Sequence, residues 1–188
     1  MKRFSALSLV VALAVSASTV SAEEVKSGLQ AGDKIGAFYV TKLAGAEDDG
    51  VEVGKNLCYR CKNGNKPQVM VFTRSADAKV TSLVSGLDKL IADKSDNDLR
   101  AFVNVLGETK ESATSEAEKV VKAAKAKNVP FVIPNEVENG PGNYGLNAKA
   151  EVTVIIANKG QVVANHAFGS AKEVDVKKVL ETVNTSLK

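Results

Sequence analysis

The chain has 188 residues, 44% hydrophobic and 25% charged, with one His, two Cys and no Trp. That composition is ordinary for a globular protein and argues against wholesale disorder, and so few His and Cys argue against zinc-finger arrays, haem bundles and serine-protease triads. The net charge of +3 is too weak and too evenly spread for a nucleic-acid or membrane-surface partner.

Lys2 and Arg3 open the chain, Ala6 to Ala17 is apolar, and Ser18 to Ala22 carries small residues before Glu23 and Glu24. This is the layout of a secretory signal peptide cleaved after Ala22; its apolar part is shorter than the roughly 20 residues that span a bilayer. The expectation is a 1–22 leader, a polar lead-in over 23–33 and one domain over 34–188, exported to the periplasm or outside the cell. In that oxidising setting two cysteines tend to pair.

Ile35 to Val53 reads as strand, turn, strand, with Phe38 and Val40 alternating, loop chemistry from Ala44 to Gly50, and Val51 and Val53 resuming the alternation. Gly54 to Pro67 reads as a loop or loose hairpin. Gln68 to Phe72 reads as a buried central strand. Val80, Leu83, Val84, Leu87, Leu90 and Ile91 form the apolar stripe of a helix, capped by Ser75 or Asp77.

Ala101 to Leu106 is a second strand. Ser115 with Glu118 predicts a capping box opening a helix that runs to about Lys127, and Phe131 to Ile133 a short strand. Pro134 to Asn147 is a loop. Val152 to Ala157 and Gln161 to Phe168 are strands joined by the Asn158-Lys159-Gly160 turn. Val176, Val179, Leu180 and Val183 face a last helix inward. Strands alternating with helices imply parallel βαβ units, and the late hairpin adds an antiparallel pair. The expected fold is α/β, a mixed central sheet with helices on both faces and an N-terminal β-hairpin.

Four stretches carry a resemblance to a known family: Ala31-Gly32-Asp33-Lys34-Ile35-Gly36-Ala37-Phe38, Lys66-Pro67-Gln68-Val69-Met70-Val71-Phe72-Thr73, Tyr144-Gly145-Leu146, and Val154 to Val163. In order and spacing they resemble the thioredoxin superfamily, and within it the redoxin group of peroxiredoxin-like and TlpA-like proteins. The resemblance covers Ala31 to the C-terminus. It implies a thioredoxin-like fold and thiol–disulfide or antioxidant redox chemistry. It also implies an active site just after the central strand, where this chain has Thr73-Arg74-Ser75-Ala76 and no Cys. Glu151 stands where the family has its cis-proline, and Ala157 where an Asp usually ends the strand. On this reading the chain lacks the family's usual active-site Cys position.

Cys58 and Cys61 form the one chemically loaded motif, C-x-x-C. One reading is a structural disulfide closing a tight loop, expected from the compartment and adding little chain entropy. A second is a working dithiol: Arg60 lies between the cysteines, with Lys55, Lys62 and Lys66 nearby, and positive charge favours the thiolate. A third is a metal or haem. Haem attachment needs His where Lys62 stands, and a zinc site needs two more ligands, of which His166 is at best one.

Elsewhere, His166 reads as a surface or satisfied strand residue. Glu47, Asp48 and Asp49 lack the ligand spacing of a calcium loop. The candidate site is therefore Cys58 and Cys61 as redox couple, supported by Arg60, Thr73 and Arg74, with no cofactor and no metal. The partner expected is a protein disulfide or thiol. The alternative is a non-catalytic binding module in which Cys58–Cys61 is a staple.

Overall fold

A computed structural model describes residues 25–93 and 95–186. The leader expected over 1–22 lies outside the described residues. Seven strands form one mixed sheet, built around β3 (Gln68–Thr73), whose six residues are all buried. β3 runs parallel to β4 (Arg100–Val105), which is parallel to β5 (Phe131–Pro134). On its other side β3 is antiparallel to β6 (Val152–Asn158), which pairs with β7 (Gln161–Phe168). β1 (Val40–Ala44) adds antiparallel to β5, and the two-residue β2 (Asn56–Leu57) closes that edge.

Side chains alternate across β3, as a strand requires. Val69 and Val71 join the core under helices α2 (Ala78–Asp93), α3 (Lys110–Ala124) and α4 (Val176–Thr185). The crossovers from β3 to β4 and from β4 to β5 step the same way across the sheet, and the usual single hand of such connections puts α2 and α3 on one face, in one core. Leu83 and Leu87 of α2 are fully buried there, each stabilising the fold by about 1.5–3 kcal/mol. Met70 and Phe72 point the other way, to a second core with Ile35, Phe38, Phe102 and Tyr144. That face is covered by the N-terminal segment, the 142–144 turn and a short helix, α1 (Tyr59–Asn63). The expected α/β thioredoxin-like arrangement is thus the one observed.

Local differences have physical causes. α3 begins earlier than the Ser115–Glu118 pair suggests, because Thr109 and Ser112 cap each other reciprocally, each side chain taking the other's backbone N–H at 3.1 Å. Buried Ala113 and Ala117 extend its inner stripe toward the N-terminus. It stops at Ala124, where Lys125 turns left-handed at φ 52°. Val51 and Val53 are not in a strand: Val53 is 67% exposed, and β2 begins at Asn56 instead. The lead-in is tied to the sheet from Ser27 onward. Ser27 Oγ lies 2.7 Å from Thr153 Oγ1, and Asn165 Nδ2 donates to the carbonyls of Ser27 and Leu29 at 2.8 and 2.7 Å.

Candidate functional site

Helix α1 occupies the stretch read as a loop or loose hairpin. Cys58 is its N-cap in extended conformation, and Gly64 ends it at φ 60°, a backbone that glycine adopts without a Cβ clash. The helix has only five residues, too few to stand on propensity alone. Tertiary anchors hold it. Tyr59 is buried and stacks on Phe102 with ring centroids 5.7 Å apart. Its hydroxyl donates to Asp49 Oδ2 at 2.7 Å. Buried Asn63 begins the exit, and Gln68 Nε2 donates to the Gly64 carbonyl at 3.2 Å.

Cys58 and Cys61 are joined as a disulfide, Cα atoms 5.2 Å apart. The two cysteines are unequal. Cys58 is buried and its Sγ accepts the backbone N–H of Cys61 at 3.0 Å, whereas Cys61 is exposed. A sulfur that accepts an N–H is better able to carry negative charge. One expectation is corrected here. The resemblance implies a chain lacking the family's active-site Cys position, with its C-x-x-C in a loop or loose hairpin. The formed disulfide at the start of α1, with Cys58 as N-cap and Cys61 in the first turn, gives the fold a bonded cysteine pair at a helix start. The helix that carries it leads into β3.

The five expected site residues form two groups. Cys58, Arg60 and Cys61 share α1, beside the turn between β6 and β7: Lys159 N–H donates to the Asn65 carbonyl at 3.2 Å, and a Cβ on Gly160 would lie 3.5 Å from Arg60 Nη2. Thr73 and Arg74 lie at the other end of β3. Thr73 is fully buried and its hydroxyl donates to the Ser75 carbonyl at 2.8 Å. Arg74 donates through Nη1 to the Glu138 carbonyl at 2.6 Å and through its backbone to the Glu151 carbonyl at 2.9 Å. With β3 fully extended between the groups, about 3.3 Å per residue separates them.

A residue the sequence reading missed organises the cysteine helix from below. Lys42 is 2% exposed. Its Nζ donates to Asp49 Oδ1 at 2.9 Å and to the carbonyls of Ala46 and Val51 at 2.9 and 2.8 Å. Asp49 thus bridges Lys42 to Tyr59, and the acidic loop is an internal counter-charge. Burial, then the Asp49 hydrogen bond and charge, hold the Tyr59 phenol protonated far above its usual range. The signal was present: Lys42 shares the inward face of Val40, and a lysine there requires an acid.

His166 is half-buried, its Nε2 3.2 Å from Thr182 Oγ1 of α4. Burial, with Lys178 close by, lowers its pKa below the ordinary value. Among the described residues, no group of three or more His, Cys, Asp and Glu is placed to hold a metal ion. No helix among them is long and apolar enough to cross a membrane.

Fold and cysteine pair together give a thioredoxin-like fold that carries a disulfide-bonded C-x-x-C. Solved structures agree on the fold. AhpC of Mycobacterium tuberculosis superposes with a TM-score of 0.60 at 16% identity, over 85% of this chain and 99% of that one. A putative thiol:disulfide interchange protein DsbE from Chlorobium tepidum gives 0.58 at 17% identity, over 85% and 98%. A yeast mitochondrial 1-Cys peroxiredoxin gives 0.56 at 15%, over 83% and 75%. At such identities the likeness is one of fold. No protein-family model matches the chain, and no curated protein does either.

Proposed function

We propose that the protein exchanges disulfides with thiol partners through Cys58 and Cys61, as a thiol–disulfide oxidoreductase or peroxidase-like redoxin. The observation that carries this reading is the asymmetry of the pair. Cys61 is open to attack, and Cys58 is a sheltered leaving group whose sulfur accepts the Cys61 N–H. An incoming thiolate bonds to Cys61 Sγ, the S–S bond breaks, and Cys58 departs as thiolate. In the reverse direction Cys58 attacks the mixed disulfide at Cys61 and releases the partner thiol. Arg60 and Lys62 flank exposed Cys61 in sequence, and positive charge near a cysteine favours its thiolate. The leader-like sequence of residues 1–22 supports an exported setting, where such a pair meets protein thiols.

Trapping tests this. A Cys58→Ser variant leaves Cys61 unable to resolve, and incubation with glutathione disulfide is expected to load it with a stable mixed disulfide in the native state. A native variant that stays unmodified until denatured contradicts the reading. One observation favours a second reading. The pair lies at the end of β3 opposite Thr73 and Arg74, and a staple there would lock the first turn of α1 without catalysis.

A further inference from the structure

Resting on that reading, we propose that the basic ground around α1 selects thiol substrates that carry carboxylates, in short an acidic peptide thiol. From Gly54 to Pro67 the chain carries Lys55, Arg60, Lys62 and Lys66 and no acid. A cleft of about 370 Å³ lies against this helix, lined by Tyr59, Lys62, Lys66, Arg100 and Lys127, a size that takes a few peptide residues. Asp48 and Asp49 also line it. Asp49, however, is occupied by the buried Lys42 and by Tyr59. Asp98 is shared by Lys66 at 3.1 Å and Arg100 at 2.9 Å. Among the described residues Lys62 and Lys127 form no ion pair; Lys62, Lys66, Arg100 and Lys127 stand against Asp48, Asp98 and Asp88, which accepts the Lys127 and Asn128 N–H groups, so the cleft keeps one positive charge in excess.

Lys62 joins the two features. It follows the exposed Cys61 directly, and it lines the cleft. Cys61 is outside the cleft lining, so a peptide whose thiol reaches Cys61 Sγ lays an adjacent carboxylate against Lys62 and extends its further residues toward the cleft. Exchange then runs in two balanced steps. The peptide thiolate bonds to Cys61 Sγ and Cys58 leaves as thiolate. A second peptide thiolate then attacks the peptide's sulfur, forming the peptide disulfide and freeing Cys61. Two electrons pass from two peptide thiols to the protein disulfide, and the protein thiolates take up protons from solvent.

The test compares two capped peptides, Glu-Cys-Glu and Gln-Cys-Gln, as reductants of the native disulfide, with rates expressed per thiolate. Opposed charges on exposed surfaces accelerate encounter, and salt removes the effect. At low salt Glu-Cys-Glu is expected to react about tenfold faster, the advantage falling below about twofold at 1 M salt, where the screening length is about 3 Å. In a Lys62→Gln/Lys127→Gln variant the low-salt advantage should drop below about threefold. Equal rates for the two peptides, or an advantage undiminished in that variant, overturn the selectivity and leave the exchange reading standing. If neither peptide reduces the native protein, the exchange reading fails and takes the selectivity with it.

Discussion

Replacing Lys42 by Met keeps the stem volume and removes only the charged head. In the native protein that head makes three hydrogen bonds of 2.8–2.9 Å from a side chain 2% exposed. Its loss takes a donor from the Val51 carbonyl, leaves the Ala46 carbonyl with only the Asp49 N–H at 3.1 Å, and leaves Asp49, 18% exposed, without its cation. Hydrogen bonds to a charged group are each worth about 1.5–3 kcal/mol net, but these share one donor and do not add. Breaking a buried pair by removing one partner costs about 3–5 kcal/mol, and Asp49 retains the Tyr59 hydroxyl and the Val51 N–H. The lower end, about 3 kcal/mol, is therefore expected. For a domain of this size that lowers Tm by about 6–12 °C. Urea titration should show it as a lower midpoint at unchanged slope. The double variant Lys42→Met/Asp49→Asn, with both charges gone, should recover part of the loss. A Lys42→Met loss below about 1 kcal/mol would refute the claim that this cation anchors the cysteine helix.

Two further predictions follow from local geometry. Gly45 sits at φ 76°, where an added Cβ would run into the Val129 carbonyl oxygen, so Gly45→Ala should lose about 2 kcal/mol or more in the same titration. His166 has a lowered native pKa, so the native state resists its protonation. Its contribution is fully present above the unfolded value of about 6.5 and is lost as pH falls below it; the urea midpoint should decline as pH falls below about 6.5, and His166→Gln should flatten that decline.

Much of the fold was legible because periodicity and burial agree. The run from Gln68 to Phe72 has no polar side, and a strand with helices or loops on both faces needs none. The stripe from Val80 to Ile91 has a single apolar face and forms a single helix. What misled were short-range signals with two uses. Ser115 and Glu118 are spaced as a capping box, but Thr109 and Ser112 bond reciprocally one turn and more earlier. Val51 and Val53 alternate like a strand, yet Lys42 holds the carbonyl at Val51 and turns the chain away.

The cysteine site was legible as chemistry and less so as geometry. C-x-x-C announced a pair, and the flanking basic residues were in plain view. Helix α1 was not, because five residues ending in glycine carry no periodic signal. Its order comes from Tyr59 packing on Phe102 and bonding to Asp49, partners far away in sequence. Thr73 and Arg74 were placed with the cysteines by resemblance alone, and the extended length of β3 keeps them apart.

The reduction potential of the Cys58–Cys61 pair tests the central claim most directly. The folded protein is equilibrated in glutathione buffers of graded ratio, and free thiols are trapped and counted. Exchange chemistry predicts a potential between about −120 and −270 mV, the span of working oxidoreductases, with tertiary structure intact in the reduced form. A potential below about −300 mV, or reduction only on unfolding, would contradict it and make the pair a staple.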